Sequence, residues 1–156
     1  MADYMKPVVF KLGKYEYGVD IELVQSIEKG INIVPVPNSN EYISGIVNLR
    51  GEVILAYNLK KKFNVQTGIS DNESTIIVSL PEVKLALEVD EVLEISDIDA
   101  DKIVPMPILV KGNDTEYLDR VANSDGQLII LLDIKKLLNE EETAGVKEFT
   151  EQLADK

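Results

Sequence analysis

Residues 51–63 read Gly-Glu-Val-Ile-Leu-Ala-Tyr-Asn-Leu-Lys-Lys-Lys-Phe, and residues 126–138 read Gly-Gln-Leu-Ile-Ile-Leu-Leu-Asp-Ile-Lys-Lys-Leu-Leu. Each stretch has a glycine, an apolar run, an Asn or Asp and then lysines. Two further blocks repeat upstream in the same order, residues 8–27 with 76–95 and residues 33–37 with 103–107. Three blocks in one order indicate a duplicated unit, although unrelated β-rich stretches can also look alike.

Alternating residues predict a β-hairpin at the start of each copy. Residues 8–12 are β-branched and aromatic, Gly13 and Lys14 can turn the chain, and residues 15–21 alternate strictly. Residues 83–89 alternate in the same way in the second copy. In both copies the large apolar side chains fall on one face of the strand and the polar side chains on the other. We therefore predict that the two copies share one fold.

A second hairpin and a short helix are predicted to close each copy. Arg50 and Gly51 form a turn between two strands. The strand over 53–57 and its counterpart over 128–132 are apolar on both faces, which predicts burial on both sides. The next residue in each copy, Asn58 or Asp133, is a good helix N-cap and predicts a short helix. Pro35 and Pro37 remove two backbone donors, so their segment is predicted at an edge or a crossover.

The polar, turn-rich residues 66–74 predict a boundary between the two units. We predict a first β-barrel subdomain at residues 1–72, a second at 73–142, and a helical or frayed tail at 143–156. These are called the first copy, the second copy and the tail below. Short strands with frequent turns favour a mainly β protein of two small barrels over a single sandwich.

Acidic residues dominate the second half of the chain. The net charge is −12; residues 1–63 hold 8 basic and 7 acidic side chains, whereas residues 64–156 hold 8 basic and 21 acidic ones. A negative field repels phosphate backbones and anionic lipid, so we expect neither nucleic acid nor direct membrane contact. Plain solubility is the alternative reason for the charge.

The composition disfavours catalysis. The chain has no cysteine and no histidine, which removes disulfides, thiolate zinc sites, cysteine nucleophiles and the commonest general base. We expect no catalytic residue, no metal and no cofactor. No signal peptide is visible and no apolar run approaches the ~20 residues of a spanning helix, so we expect a cytoplasmic protein.

Candidate functional residues are few. Asp97, Asp99 and Asp101 alternate as in a calcium loop, but the required glycine and distal glutamate are missing, which favours a solvated acidic turn. Arg50 can bind a carboxylate of a partner or can hold its own turn together. Val24 and Ile27 are either ordinary core residues or the lip of a groove.

Several segments together resemble the CheW family of coupling proteins in bacterial chemotaxis. The most specific is Gly-x-x-Asn-Leu-Arg-Gly at residues 45–51, and the resemblance spans roughly residues 6–140. The other matching segments are residues 10–13, 17–21, 24–27, 43–44, Val89-Asp90-x-Val92 and 129–138.

The resemblance implies two intertwined five-stranded β-barrels around a shared hydrophobic interface, with short helices after each repeat and a C-terminal helix. It implies a non-catalytic scaffold that joins the cytoplasmic tip of chemoreceptors, the methyl-accepting chemotaxis proteins, to the regulatory domain of the histidine kinase CheA. The protein would then be recruited to membrane-bound receptor arrays, and we expect a monomer in isolation. The implied partner-binding residues are Val24, Ile27, Gly45, Asn48, Arg50, Gly51, Ile76, Ala86 and Ile95.

Four positions depart from the pattern of the family. Relatives often have a glutamate at Ser26, a proline at Leu55, an aspartate at Asn58 and a glycine at Ala86. Contacts that need those family residues are not expected to carry over unchanged.

A different class of function remains open at this stage. A ligand-binding or hydrolytic double β-barrel would use acidic residues such as Glu88, Asp90 and Glu91. A polar strand face explains the same residues without any ligand.

Overall fold

Short β-strands dominate the computed structural model, which describes residues 4–36, 41–65, 73–81, 83–106 and 118–137. The strands are β1 (Tyr4–Met5), β2 (Pro7–Leu12), β3 (Tyr15–Asp20), β4 (Val24–Glu28), β5 (Ile43–Leu49), β6 (Glu52–Tyr57), β7 (Ser74–Ser79), β8 (Lys84–Val89), β9 (Glu91–Ile95), β10 (Ile98–Asp99), β11 (Ile103–Pro105), β12 (Leu118–Ser124) and β13 (Gln127–Leu132). The helices are the single turn α1 (Leu59–Lys62) and the 3-10 helices Ile21–Leu23, Ala100–Lys102 and Ile134–Lys136.

The strands form two main sheets that each combine strands of both copies. One sheet has six strands in the order β11-β12-β13-β3-β2-β9, and the other has five in the order β4-β7-β8-β6-β5. The first hairpin of each copy pairs in parallel with the last strand of the other copy, with Ile130 beside Tyr17 and Leu55 beside Leu85. These two pairings occupy equivalent positions in the repeat, so the structure supports the duplication and shows that the copies exchange their first hairpins. β1 and β10 form a separate two-stranded sheet.

The sheets are open ladders in the described part of the chain. The prediction of two five-stranded barrels is therefore correct in its two-part β architecture but differs in detail, because one sheet has six strands and neither ladder closes within the described residues. The edges of the five-stranded sheet are nevertheless connected. β4 ends at Glu28, and Val34 then pairs with Ile46 of β5 at the opposite edge through hydrogen bonds of 2.8 and 2.9 Å.

Val34, directly before Pro35, therefore pairs at a sheet edge, as the proline segment predicted, whereas Pro37 lies outside the described residues. The division into residues 1–72 and 73–142 stays a prediction, since both sheets draw strands from either side of it. The predicted helix in residues 143–156 lies outside the described residues.

One central core joins the two sheets, and each sheet has a smaller core on its other face. Val8, Phe10 and Val19 from the six-stranded sheet pack with Leu85 and Leu87 from the five-stranded sheet in the central cluster. Burying one such side chain fully contributes about 1.5–3 kcal/mol. The smaller cores are the clusters around Val47, Ile54, Ala56, Ile77 and Ala86 and around Val9, Ile98, Ala122, Ile129 and Leu131.

The strands predicted to be buried on both faces mostly are. Ile54 is fully buried on one face and Leu55 is 5% exposed on the other. The expectation is wrong for Leu128, which is 60% exposed. This residue is the second of β13, two positions after the turn glycine Gly126, where the strand has not yet entered the core.

Matching hairpin turns and caps mark the two copies. Arg50 and Gly51 have φ of 52° and 87°, and Asp125 and Gly126 have φ of 53° and 88°. Two positive φ values in a two-residue loop define a type I′ turn, which suits the twist of paired strands. In each turn an Asn side chain accepts a hydrogen bond from the glycine N–H, at 3.1 Å in the first copy and 3.0 Å in the second.

The predicted N-caps are also confirmed. The Asn58 carboxamide accepts a hydrogen bond from Lys61 N, and the Asp133 carboxylate accepts one from Lys135 N, each at 3.1 Å. Both residues satisfy a backbone donor that a helix start leaves unpaired. Each copy therefore closes in a short helix.

Candidate functional site

Arg50 joins the β5–β6 turn to the end of β4. Arg50 Nη2 lies 3.4 Å from Glu28 Oε1, and the two side chains are 70% and 17% exposed. β4 and β5 lie at opposite edges of their sheet, so this contact brings both edges onto one surface. An exposed ion pair of this kind contributes about 1 kcal/mol or less. The outer face of the guanidinium therefore stays accessible to a carboxylate of a partner.

The conformation of Arg50 suggests that its side chain, rather than its backbone, matters at this position. A left-handed backbone disfavours residues with a Cβ by roughly 1–2 kcal/mol, and Asn and Asp tolerate it better than Arg does. The second copy has Asp125 in the same turn. Strain of this kind concentrates at functional sites.

The edge strand β4 is the second part of this surface. Val24 is partly buried and packs against the central core, whereas Ile27 is 39% exposed. β4 pairs with β7 on one side, and its other side has no strand partner in the described ranges. An apolar side chain beside an open strand edge can accept a partner's helix or strand. We call β4, the β5–β6 turn with Arg50, and Asn48 at the end of β5 the β4 surface.

The predicted site residues fall into three groups. Val24, Ile27, Asn48, Arg50 and Gly51 lie on the β4 surface. Ile95 lies on β9, an edge of the other sheet, and is 52% exposed. The remaining three, Gly45, Ile76 and Ala86, are buried.

The buried residues can support a partner surface but do not present side chains to it. Ile76 is fully buried in the central core and pairs in register with Ile27. Ala86 is fully buried in a smaller core. A Cβ at Gly45 would lie 2.1 Å from the Val34 backbone oxygen, so only glycine leaves room for the Val34–Ile46 bridge.

The β9 edge resembles the β4 surface in position. Ile95 stands at the repeat position of Ile27, and Leu93 on the same strand is 41% exposed. β9 pairs with β2 on one side and is the last strand of its sheet. The two sheets therefore each present an edge strand with exposed apolar side chains.

Sequence reasoning missed a third apolar surface. Val104 and Leu128 are 55% and 60% exposed, and with Val121 they line an open cleft of about 600 Å³. Asp101 and Asp125 lie in the same cleft. The position of Leu128 two residues after the turn glycine Gly126 could have indicated its exposure, whereas Val104 carries no such signal in the sequence.

Two of the three acidic residues proposed for ligand binding, Glu88 and Asp90, have side-chain contacts within the protein. Glu88 accepts a hydrogen bond from Ser44 Oγ at 2.5 Å. Asp90 accepts one from Gly13 N and one from Lys60 Nζ, each at 2.7 Å. Within the described ranges, no group of three or more His, Cys, Asp or Glu side chains is placed to hold a metal ion. No helix in those ranges is long and apolar enough to cross a membrane.

Two titrating groups near the central core are perturbed. Burial lowers the pKa of Lys60, but its hydrogen bond to Asp90 and the charges of Asp90 and Glu73 outweigh burial and raise it above the ordinary 10.5. Burial, followed by the charge of Tyr15, raises the pKa of Tyr17 above 10.0. Neither pKa lies near neutral pH, where a catalytic acid or base usually titrates.

Comparison with known proteins places this architecture in a family. A CheW-like domain family model matches residues 6–142. The chain is 35% identical over 141 residues to chemotaxis protein CheW of Klebsiella aerogenes, which covers 89% of this chain and 84% of that protein. It is 28% identical over 144 residues to chemotaxis protein CheW of Thermotoga maritima, and this alignment covers 90% of this chain and 93% of that protein.

A solved structure shares the fold. The crystal structure of scaffolding protein TtCheW from Thermoanaerobacter tengcongensis matches with a TM-score of 0.81 and 37% sequence identity, covering 89% of this chain and 97% of that chain. The family match, the identities and the common fold show that this chain belongs to the CheW family of chemotaxis proteins.

Proposed function

We propose that this chain is a non-catalytic scaffold that couples the cytoplasmic tips of chemoreceptors to the regulatory domain of the histidine kinase CheA. The observation that carries the proposal is the pair of open apolar edges, β4 and β9, on two different sheets. One edge for each partner would let a small protein hold two others without any reactive group. Family membership supports the same role and a cytoplasmic location at receptor arrays.

The chemistry of the two edges suits different partners. The β4 surface carries the Arg50 guanidinium beside Ile27, so it fits an apolar partner face with a carboxylate at its rim. The β9 edge carries Glu91 and Glu94 beside Leu93 and Ile95, so it fits an apolar face with a basic rim. Each interface would bury about 800 Å² per partner if it is of standard size.

Aspartate substitutions at the edges test the proposal. Ile27→Asp and Val24→Asp should each weaken binding to one partner, and Ile95→Asp should weaken binding to the other. Each variant should lose about thirtyfold in affinity, because a desolvated anchor contributes ~2 kcal/mol. The measurement is titration calorimetry of the full chain with a receptor tip fragment and with the kinase regulatory domain. Circular dichroism confirms that each variant is folded.

Val104→Asp is the matched control for Ile95→Asp, because Val104 is 55% exposed, close to the 52% of Ile95, and lies on β11 rather than on β4 or β9. It should change neither affinity. Retention of both affinities in all three edge variants would refute the use of these edges.

A further inference from the structure

The Val89-Asp90-x-Val92 motif places a carboxylate where the chain passes between the two sheets. β8 ends at Val89 in the five-stranded sheet, and β9 begins at Glu91 in the six-stranded sheet. Asp90, the single residue between them, is 7% exposed. A buried carboxylate is stable only when other groups compensate for its lost hydration.

Three elements meet at Asp90. Its Oδ2 accepts a hydrogen bond at 2.7 Å from Gly13 N, in the turn between β2 and β3 of the six-stranded sheet. Its Oδ1 lies 2.7 Å from Lys60 Nζ, on the helix that follows β6 of the five-stranded sheet. Its own N–H donates to Lys11 O at 3.0 Å. One residue therefore connects both sheets at their crossing.

The equivalent crossing in the first copy is built differently. There the chain passes from β3 to β4 through the 3-10 helix Ile21–Leu23, and Asp20 caps it by accepting a hydrogen bond from Glu22 N at 3.0 Å. Glu22, at the repeat position of Asp90, is exposed. This cap is local, whereas the contacts of Asp90 join residues 77 and 30 positions apart.

We propose that Asp90, Lys60 and Gly13 form an interlock that fixes the β9 edge against the five-stranded sheet, whereas no such set of contacts among the described residues fixes the β4 edge at its crossing. Asp90 is then a positioning residue for β9, and the two edges differ in how readily they open. Buried charge-assisted hydrogen bonds are strong enough for this role, and loss of one partner leaves an uncompensated charge. This role of Asp90 does not depend on which partner each edge binds.

Amide hydrogen exchange on the full chain tests the interlock. In Asp90→Ala, the amides of Gly13 and of β9 should exchange at least about tenfold faster than in the wild type, since a hydrogen bond to a charged group is worth about a factor of ten or more. The amides of β4 should change much less. Asp90→Asn keeps an acceptor for Gly13 and should restore most of the Gly13 protection.

Ile76→Val provides a control for general loss of stability, because it trims the central core without touching the interlock. In this variant the rate of amide exchange should rise by a similar factor in both sheets. The same uniform rise in Asp90→Ala, or unchanged protection of Gly13, would overturn the proposal.

A double-mutant cycle covers the case in which Asp90→Ala does not fold. Lys60→Met and Asp90→Asn should each lower the free energy of unfolding measured with urea. The double variant should lose clearly less stability than the sum of the two single losses. A parallel cycle on the exposed pair Lys84 and Glu52, which are 2.8 Å apart, should be nearly additive. Additive losses in the Lys60 and Asp90 cycle would contradict the interlock.

Discussion

The two copies of the second hairpin, β5–β6 and β12–β13, share their backbone and differ in what surrounds it. Both strands have a register shift at the same repeat position, occupied by Gly45 in the first copy and Arg120 in the second. Both turns have the same φ values, with Arg50 in one and Asp125 in the other. The bulge, the turn asparagine and the turn glycine are common to both hairpins and are therefore enough to determine their shared backbone conformation. The side chains at the bulge position and at the first turn position differ between the hairpins, and they determine which groups can contact each hairpin.

The largest expected difference between the hairpins is at the bulge. Gly45→Ala should lower the free energy of unfolding by about 1–3 kcal/mol, since its Cβ would collide with the backbone of Val34. Arg120→Ala should cost about 1 kcal/mol or less, because Arg120 is partly exposed and pairs with its neighbour Asp119. Urea denaturation measures both. Equal losses would mean that the two bulges are not distinguished by the approach of Val34.

The edge strands should differ by a smaller amount. Ser26 Oγ on β4 is buried and has no hydrogen-bond partner in the described ranges, whereas Glu94 at the same repeat position on β9 is exposed. Ser26→Ala should therefore stabilise the protein by up to about 1 kcal/mol, because it removes an unsatisfied polar group. Glu94→Ala should be nearly neutral. Thermal unfolding compares the two, and a destabilised Ser26→Ala would show that the hydroxyl is satisfied in solution.

The turns should differ by less again in stability but clearly in binding. Arg50→Asn should stabilise the protein slightly, by about 0.5 kcal/mol, since Asn tolerates a left-handed backbone and the lost pair with Glu28 is weak. It should also weaken the partner of the β4 surface. Asp125→Asn is the matched change in the second copy and should alter neither property. Full affinity in Arg50→Asn would assign Arg50 to its turn alone.

Alkaline pH should produce the smallest effect. The folded protein raises the pKa of Lys60 above 10.5 and that of Tyr17 above 10.0, so it holds protons that the unfolded chain loses first. Stability should therefore fall as pH rises above about 10. Lys60→Met should reduce this slope, because it removes one of the two groups that hold their protons more tightly in the folded state. Urea midpoints between pH 9 and 11 give the slope.

Local devices were predictable from the sequence because they depend on neighbouring residues. The turn at Arg50-Gly51 and the caps Asn58 and Asp133 follow from short-range chemistry, and the structure has them. The alternation over residues 15–21 correctly predicted strand β3, but the strand ends at Asp20 and Tyr15 is 64% exposed. The residues alone also indicated the duplication. Family resemblance added that the two units are intertwined.

The partners of each strand were not predictable in the same way. Alternation in β3 shows which side chains face inward but not that β3 pairs with β13 rather than β6. Ile76 and Ala86 are site residues only by the family resemblance, and the structure buries both fully. The contacts of Asp90 were not predictable because they join residues 77 and 30 positions apart.

The exchange of hairpins between the copies constrains synthesis on the ribosome. The five-stranded sheet has its last strand once Val89 has emerged, but β2 and β3 must wait for β13, which ends at Leu132. Until then the first hairpin of the nascent chain has an unsatisfied edge and an uncovered apolar face, which is the state most prone to misassociation. A chain truncated before β13 should therefore be a substrate for chaperones or proteases, even though it contains the whole first copy.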